Sequence, residues 1–251
     1  MATFDFRPTQ IGASLKEQLV VVMPIYNEAA NIENVVNEWR SAFQKLGIRH
    51  QMLLVNDGSK DGTSALLDRM ERLQPESLVV VNKFNTGHGS SCRFGYDAAV
   101  VSQAEWVLQI DSDGQCDPAY FDKFWDARKE ADCVFGIRVE RDDGWARTMT
   151  SRICHWSSTL ICGLDMVDPN VPYRLIRREA LGKAVARVPG AFNIHNVALT
   201  YRLKQNPQLR WSYLPIRFRK RQGGTNSINL TNVAKLGIDL LFDLWRLRRA
   251  D

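Results

Sequence analysis

Short apolar runs recur along the first 140 residues, each followed by a polar turn and then a stretch with helical spacing. "LVVVM" (19–23), "MLLV" (52–55), "LVVV" (78–81), "WVLQI" (106–110) and "DCVFGI" (132–137) predict five buried strands. Between the first two, Ile32, Val35, Val36, Trp39 and Phe43 return at the helical interval. Asp61 can cap a helix through "SALLDRMERL", and another helix runs through "SSCRFGYDAAVV". Asp117 and Pro118 supply an acidic cap and a first-turn proline for a further one. Such alternation predicts an α/β fold, a doubly wound, mostly parallel sheet covered on both faces. Beyond Arg138 the alternation fades. "YRLIRRE" and "WSYLPIRF" predict later strands, and Pro215 disfavours a central position for the second. Met149, Ile153, Trp156, Leu160 and Leu164 share one helical face, as do the leucines and Trp245 of a basic stretch over 233–249. The expected division is a single domain over 1–230 and a C-terminal amphipathic basic helix over 231–251.

A chain of 251 residues that is 45% hydrophobic suits one large domain with a full core. The net charge of +5 is modest, but basic residues crowd the C-terminal half in "RLIRRE", "RFRKRQ" and "WRLRRAD". Such segments suit phosphate groups or an anionic membrane surface. Five cysteines without a Cys-x-x-Cys pair argue against a disulfide framework or a zinc site. No signal-peptide pattern is present, and no apolar run approaches the ~20 residues that cross a bilayer. The expected location is the cytoplasm, with peripheral contact at the inner face of the membrane.

The turns after the first four strands read "PIYNE", "NDGSKDGT", "NKFNTGHGS" and "DSDGQ". Parallel sheets bind ligands at the carboxyl ends of their strands, so these four turns predict one polar site. In the fourth, Asp111 and Asp113 repel each other unless a cation lies between them. Oxygen donors from Asp111, Asp113 and Gln115 suit a hard dication, Mg2+ or Mn2+, shared with substrate phosphates. The dinucleotide fingerprint and the Walker lysine are both absent, and the acid pair follows the fourth strand, not the first as in haloacid dehalogenases.

The ordered set "VVVMPIYNE", "LLVNDGSKDGT", "NTGHGSSCRFGYDAA" and "QIDSDGQCDP" resembles family 2 glycosyltransferases of the GT-A type. "FGIRVERDDGWAR", "DPNVPYRLIRRE" and "LPIRFRKRQGGTNSINL" are similar to the branch containing dolichyl-phosphate mannose synthase and the polyprenyl-phosphate glycosyltransferases. The resemblance implies that Pro24, Tyr26 and Glu28 line the nucleotide pocket and that Asp57 binds the base. It implies that Gly87 and Gly89 let the chain pass close to the nucleoside, and that Asp111, Asp113 and Gln115 hold metal and diphosphate. Arg138 and Arg147 would meet the acceptor or leaving phosphate, with Arg174 and Arg221 as further candidates. Asn56 stands where the family often has an acid, and "VPYR" replaces the Gly-Phe pair of many relatives.

The implied reaction is a one-step displacement with inversion at the sugar carbon. A hydroxyl acceptor would need a general base, and no Glu-Asp pair follows Asp143; Asp165, Asp168 and Glu179 are the acids on offer. A phosphate acceptor has a second pKa of about 6 and needs cations instead. The expected acceptor is therefore an undecaprenyl or dolichyl phosphate. Transfer to a sugar hydroxyl in polysaccharide synthesis is the alternative, and a non-catalytic nucleotide-sugar-binding protein is a third. An oligomer is compatible with the sequence, and no nucleic acid is expected. Plainer roles stand beside the functional ones: a helix-start acid for Glu28, a turn residue for Asp57, a loop residue for His88, a core residue for His195, and solvent exposure for Arg177 and Arg178.

Overall fold

The structure is a computed structural model and describes residues 8–140, 166–188 and 195–220. The five expected strands are β1 (Leu19–Ile25), β2 (His50–Asn56), β3 (Leu78–Asn82), β4 (Trp106–Ile110) and β5 (Cys133–Glu140). The two later ones are β6 (Tyr173–Arg177) and β7 (Trp211–Arg217). The helices are α1 (Pro8–Ser14), α2 (Ile32–Lys45), α3 (Thr63–Leu73), α4 (His88–Val100), α5 (Phe121–Ala127), α6 (Arg178–Val185) and α7 (His195–Lys204). Helix α2 buries Ile32, Val35, Val36, Trp39 and Phe43, the set its spacing predicts. The segments over 149–164 and 231–251 lie outside the described residues, as do Arg147 and Arg221. Among the described residues no helix is long and apolar enough to cross a membrane.

The strands form one sheet in the order β3-β2-β1-β4-β6-β5-β7. Pairing is parallel from β3 through β4 and again between β5 and β7, while β6 runs antiparallel to both neighbours. β7 is at the edge, where Pro215 is tolerated. The chain lays β2 and β3 on one side of β1, then returns to place β4 on the other. That reversal opens a crevice beyond the carboxyl ends of β1 and β4, the position at which α/β sheets take ligands.

Two adjacent residues of β6 show how the faces are covered, because neighbours along a strand point to opposite sides. Tyr173 stacks on Phe124 of α5 at 4.2 Å and meets the edge of Trp39 of α2. Arg174 turns the other way, and its guanidinium donates to the Asn196 carbonyl of α7. Helices α2 and α5 thus cover one face, and α7 the other with α4, which crosses β1. At that crossing, a Cβ on Gly95 would stand 2.2 Å from Val22 Cγ1. Gly95→Ala is therefore expected to destabilise the fold by about 1–3 kcal/mol, the usual cost of overpacking. A urea titration reads this as a lower midpoint; an unchanged midpoint would mean that α4 can lift from the sheet.

Candidate active site

β4 delivers Asp111 and Asp113 to the crevice, and Gly114, at φ +76°, turns the chain immediately after them. Gln109, fully buried, donates its amide nitrogen to Asp111 Oδ1 at 3.1 Å. The Gln115 backbone N–H donates to Asp113 Oδ1 at 3.0 Å. Each carboxylate thus has one oxygen held by the chain, while its Oδ2 accepts no hydrogen bond among the described residues. Burial, and then the neighbouring charge of Asp113, push the Asp111 carboxyl above its ordinary pKa, opposed by His88, Arg174 and Arg138. A dication between the two acids would relieve that cost. Among the described residues no three His, Cys, Asp or Glu side chains form a metal cluster. Two carboxylates with the remaining positions left to phosphates and water match the way Mg2+ is usually held. The Gln115 carbonyl accepts from the Arg219 backbone N–H, and Arg219 also bridges Glu38 and Asp117.

On the β1 side, Pro24 is buried at the end of the strand, beyond Val22, where pairing with β4 stops. Tyr26 is 43% exposed at the crevice edge. Glu28 is buried; its N–H donates to Thr63 Oγ1, and its carbonyl accepts from Asn31 and Ile32 at the entry to α2. Asp57 follows β2 and holds the turn after β3: its oxygens accept from the Thr86 and Gly87 N–H groups, both at 2.9 Å, and from Lys83 Nζ. The two turns approach so closely that a Cβ on Gly58 would meet the Asn85 nitrogen at 2.8 Å. Gly87, at φ +92°, leads into α4, whose first turn carries Gly89. His88 lies between them, its Nε2 3.7 Å from Asp111 Oδ1. The Cys92 sulfur, 3.5 Å away, and the Asp111 carboxylate push the imidazole pKa up against burial.

The arginines divide. Arg138, at the end of β5, lies against Asp168: Nε donates to Oδ2 at 2.8 Å and Nη2 to Oδ1. Its charge favours the ionised form of Asp111. Arg174 corrects the expectation of a phosphate contact. It is 0% exposed, and its donors are taken by the Pro169, Val171 and Asn196 carbonyls and by Thr200 Oγ1. Arg177 and Arg178, expected in solvent, are half-buried: one pairs with Asp132 and the other binds the Ala104 and Val100 carbonyls.

His195 is a buried residue, stacked on Tyr96 at 5.2 Å, and its Nε2 has no partner among the described residues. Burial, with the charges of Arg93, Arg174 and His88, depresses its pKa to about 3. Above the unfolded value of 6.5 the imidazole is neutral in both states. Below it only the unfolded chain takes up the proton, so stability falls by up to about 1.4 kcal/mol per pH unit until about pH 3. His195→Phe is expected to flatten this acid limb in urea titrations between pH 7 and 4. An identical limb in the variant would place the imidazole's proton uptake elsewhere.

Sequence reasoning missed Gln109, hidden inside a strand, the link from Lys83 to Asp57, and the pairing of Asp168 with Arg138. Only His88, between two glycines of a site loop, carried a signal, and its distance to Asp111 depends on how α4 packs.

The reversed sheet order, with an acid pair at the switch point, agrees with the GT-A class of glycosyltransferase fold, to which the superposable solved structures point. Residues 20–192 match the family described as Glycosyl transferase family 2, and the chain belongs to that family of enzymes. It is 28% identical over 235 residues to the polyprenol monophosphomannose synthase of Mycolicibacterium smegmatis, covering 90% of this chain and 84% of the relative. It is 27% identical over 163 residues to the undecaprenyl-phosphate 4-deoxy-4-formamido-L-arabinose transferase of Aeromonas hydrophila, covering 64% of this chain and 49% of the relative. Among solved structures, glucosyl-3-phosphoglycerate synthase from Mycobacterium tuberculosis, in complex with Mg2+ and uridine diphosphate, superposes with a TM-score of 0.66 at 16% identity, over 96% of this chain and 83% of that one. Mannosyl-3-phosphoglycerate synthase from Rubrobacter xylanophilus gives 0.63 at 16% identity, over 97% and 76%.

Proposed function

We propose that the protein moves a sugar from a nucleoside diphosphate sugar to a polyprenyl phosphate, with inversion, using Mg2+ or Mn2+. The observation that carries this is the acid pair at the switch point, each carboxylate anchored through one oxygen and presenting the other. Asp111 and Asp113 would hold the ion, which supplies positive charge opposite the departing diphosphate. Pro24, Tyr26, Glu28, Gly87 and Gly89 would line the nucleotide cleft. Asp57 would act through the loop it holds, since its oxygens already accept from that loop.

The acceptor side favours a phosphate. A hydroxyl acceptor needs a free general base. Among the described residues, the acid paired with Arg138 is Asp168, which takes up its Nε and Nη2, while Nη1 enters none of these bonds. An arginine oriented by a carboxylate and presenting a free edge suits a phosphate dianion that needs no deprotonation. The names of the two relatives, both acting on polyprenyl phosphates, support the same acceptor.

The test is incubation with labelled uridine or guanosine diphosphate sugars, Mn2+, and either a polyprenyl phosphate or an oligosaccharide. The expected product is a labelled lipid, cleaved by mild acid and resistant to alkaline phosphatase, and lost with EDTA. Label found only in the oligosaccharide would favour the hydroxyl acceptor. Nucleotide-sugar binding with no transfer to either would favour a non-catalytic binding protein.

A further inference from the structure

One wall of the crevice is a stripe along α4. His88, Cys92 and Tyr96 are four residues apart and so share one helical face. That face meets Gln109 and Asp111, which are two apart at the end of β4 and so share one side of the sheet. Gln109 connects the two sets: it is 0% exposed, its Nε2 donates to Asp111 Oδ1 at 3.1 Å, and its Oε1 faces the Tyr96 hydroxyl at 3.4 Å.

The amide has only one good orientation here. Flipped, it would set its carbonyl oxygen against the Asp111 carboxylate and turn its NH2 toward the hydroxyl. In the orientation seen, the hydroxyl is placed to donate to the amide oxygen, 3.4 Å away, and the amide donates onward to the acid. Asp111 Oδ1 is committed to the protein, and Oδ2 is the oxygen left for a ligand.

We propose that Gln109, oriented by Tyr96, is a positioning residue for the reaction: it fixes the Asp111 carboxylate so that one oxygen alone faces the metal–diphosphate. This rests on the metal reading of the acid pair given above. Partners that hold a ligating carboxylate typically change metal affinity by about 10–100-fold when removed.

Manganese-dependent binding of uridine and guanosine diphosphates, measured calorimetrically well below the unfolding midpoint, tests it. Gln109→Leu is expected to weaken the manganese-dependent component at least about tenfold, within the range for such supporting groups. Tyr96→Phe, which removes only the hydroxyl, is expected to act in the same direction. Because Tyr96 acts through Gln109, the double variant should bind no worse than Gln109→Leu alone. The double variant also removes both polar partners from the buried pair, so it guards against misfolding as the cause of any loss. Wild-type-like affinity in Gln109→Leu, or strictly additive losses in the double variant, would overturn the inference while leaving the metal site intact. A wild-type protein whose nucleotide binding ignores manganese would overturn the metal reading and this inference with it.

Discussion

Asp113→Asn is expected to lower sugar transfer on the order of 10²–10³-fold, the range seen when one preorganised electrostatic contact to a developing charge is removed. The substitution keeps the shape of the side chain and an oxygen for the Gln115 N–H, so the turn at Gly114 should survive. What is lost is half of the charge that would hold a dication. In the metal-free protein the two acids oppose each other, and Asp113 is one of the groups that push up the Asp111 pKa. Neutralising it should therefore leave the metal-free melting temperature unchanged or slightly higher. Low activity with undiminished stability is the mark of a residue kept for function. The measurement is turnover with a labelled nucleotide sugar beside a melting curve without metal. Retained turnover, or a melting point lower by several degrees, would make Asp113 a structural residue.

Arg174→Met is expected to have the largest effect on stability. The guanidinium is fully buried on the α7 side of β6 and joins the turn at Pro169 and Val171 to Asn196 and Thr200. Methionine keeps the apolar stem but takes these donors from three carbonyls; Thr200 Oγ1 still donates to those of Pro169 and Asn196, so the Val171 carbonyl is the one that loses its side-chain donor. Two effects compete. Burying a cation costs solvation, and burial does lower the Arg174 pKa, opposed by Tyr96, Asp168, Cys92 and Asp111. Bonds to a charged donor each contribute roughly 1.5–3 kcal/mol, and orphaned buried acceptors cost about 1–3 kcal/mol apiece. Four lost bonds to a charged donor outweigh one desolvated cation, so the net loss should be about 3–5 kcal/mol, as for breaking other buried charge networks. Urea unfolding would read it directly. A variant as stable as the parent would mean that desolvation dominates and that the arginine is retained for another reason.

The sheet was legible because its strands are short, apolar and separated by amphipathic helices; β4 runs over the residues its pattern predicts. The acid pair was legible because two carboxylates with one residue between them are conspicuous after "WVLQI". Asp117 caps the turn after it, accepting from the Ala119 N–H, as the Asp-Pro signal predicts. Arg174 was misplaced because the sequence of an arginine does not say which way a strand turns it. In β6 the alternation sends Tyr173 to the α2 face and Arg174 into the interior of the opposite one. Gln109 was hidden for the same reason: a polar residue inside an apolar run carries no periodic signal until the helix above it is known. The tie between Asp168 and Arg138 spans 30 residues, and only the fold brings it together.

The most direct measurement is a crystal soaked with Mn2+ and uridine or guanosine diphosphate, with anomalous data collected at the manganese edge. The account predicts one strong anomalous peak within bonding distance of Asp111 Oδ2 and Asp113, with the diphosphate completing its coordination between the β1 and β4 turns. A nucleotide bound in that cleft with no peak at the two carboxylates, or a peak elsewhere on the molecule, would contradict it.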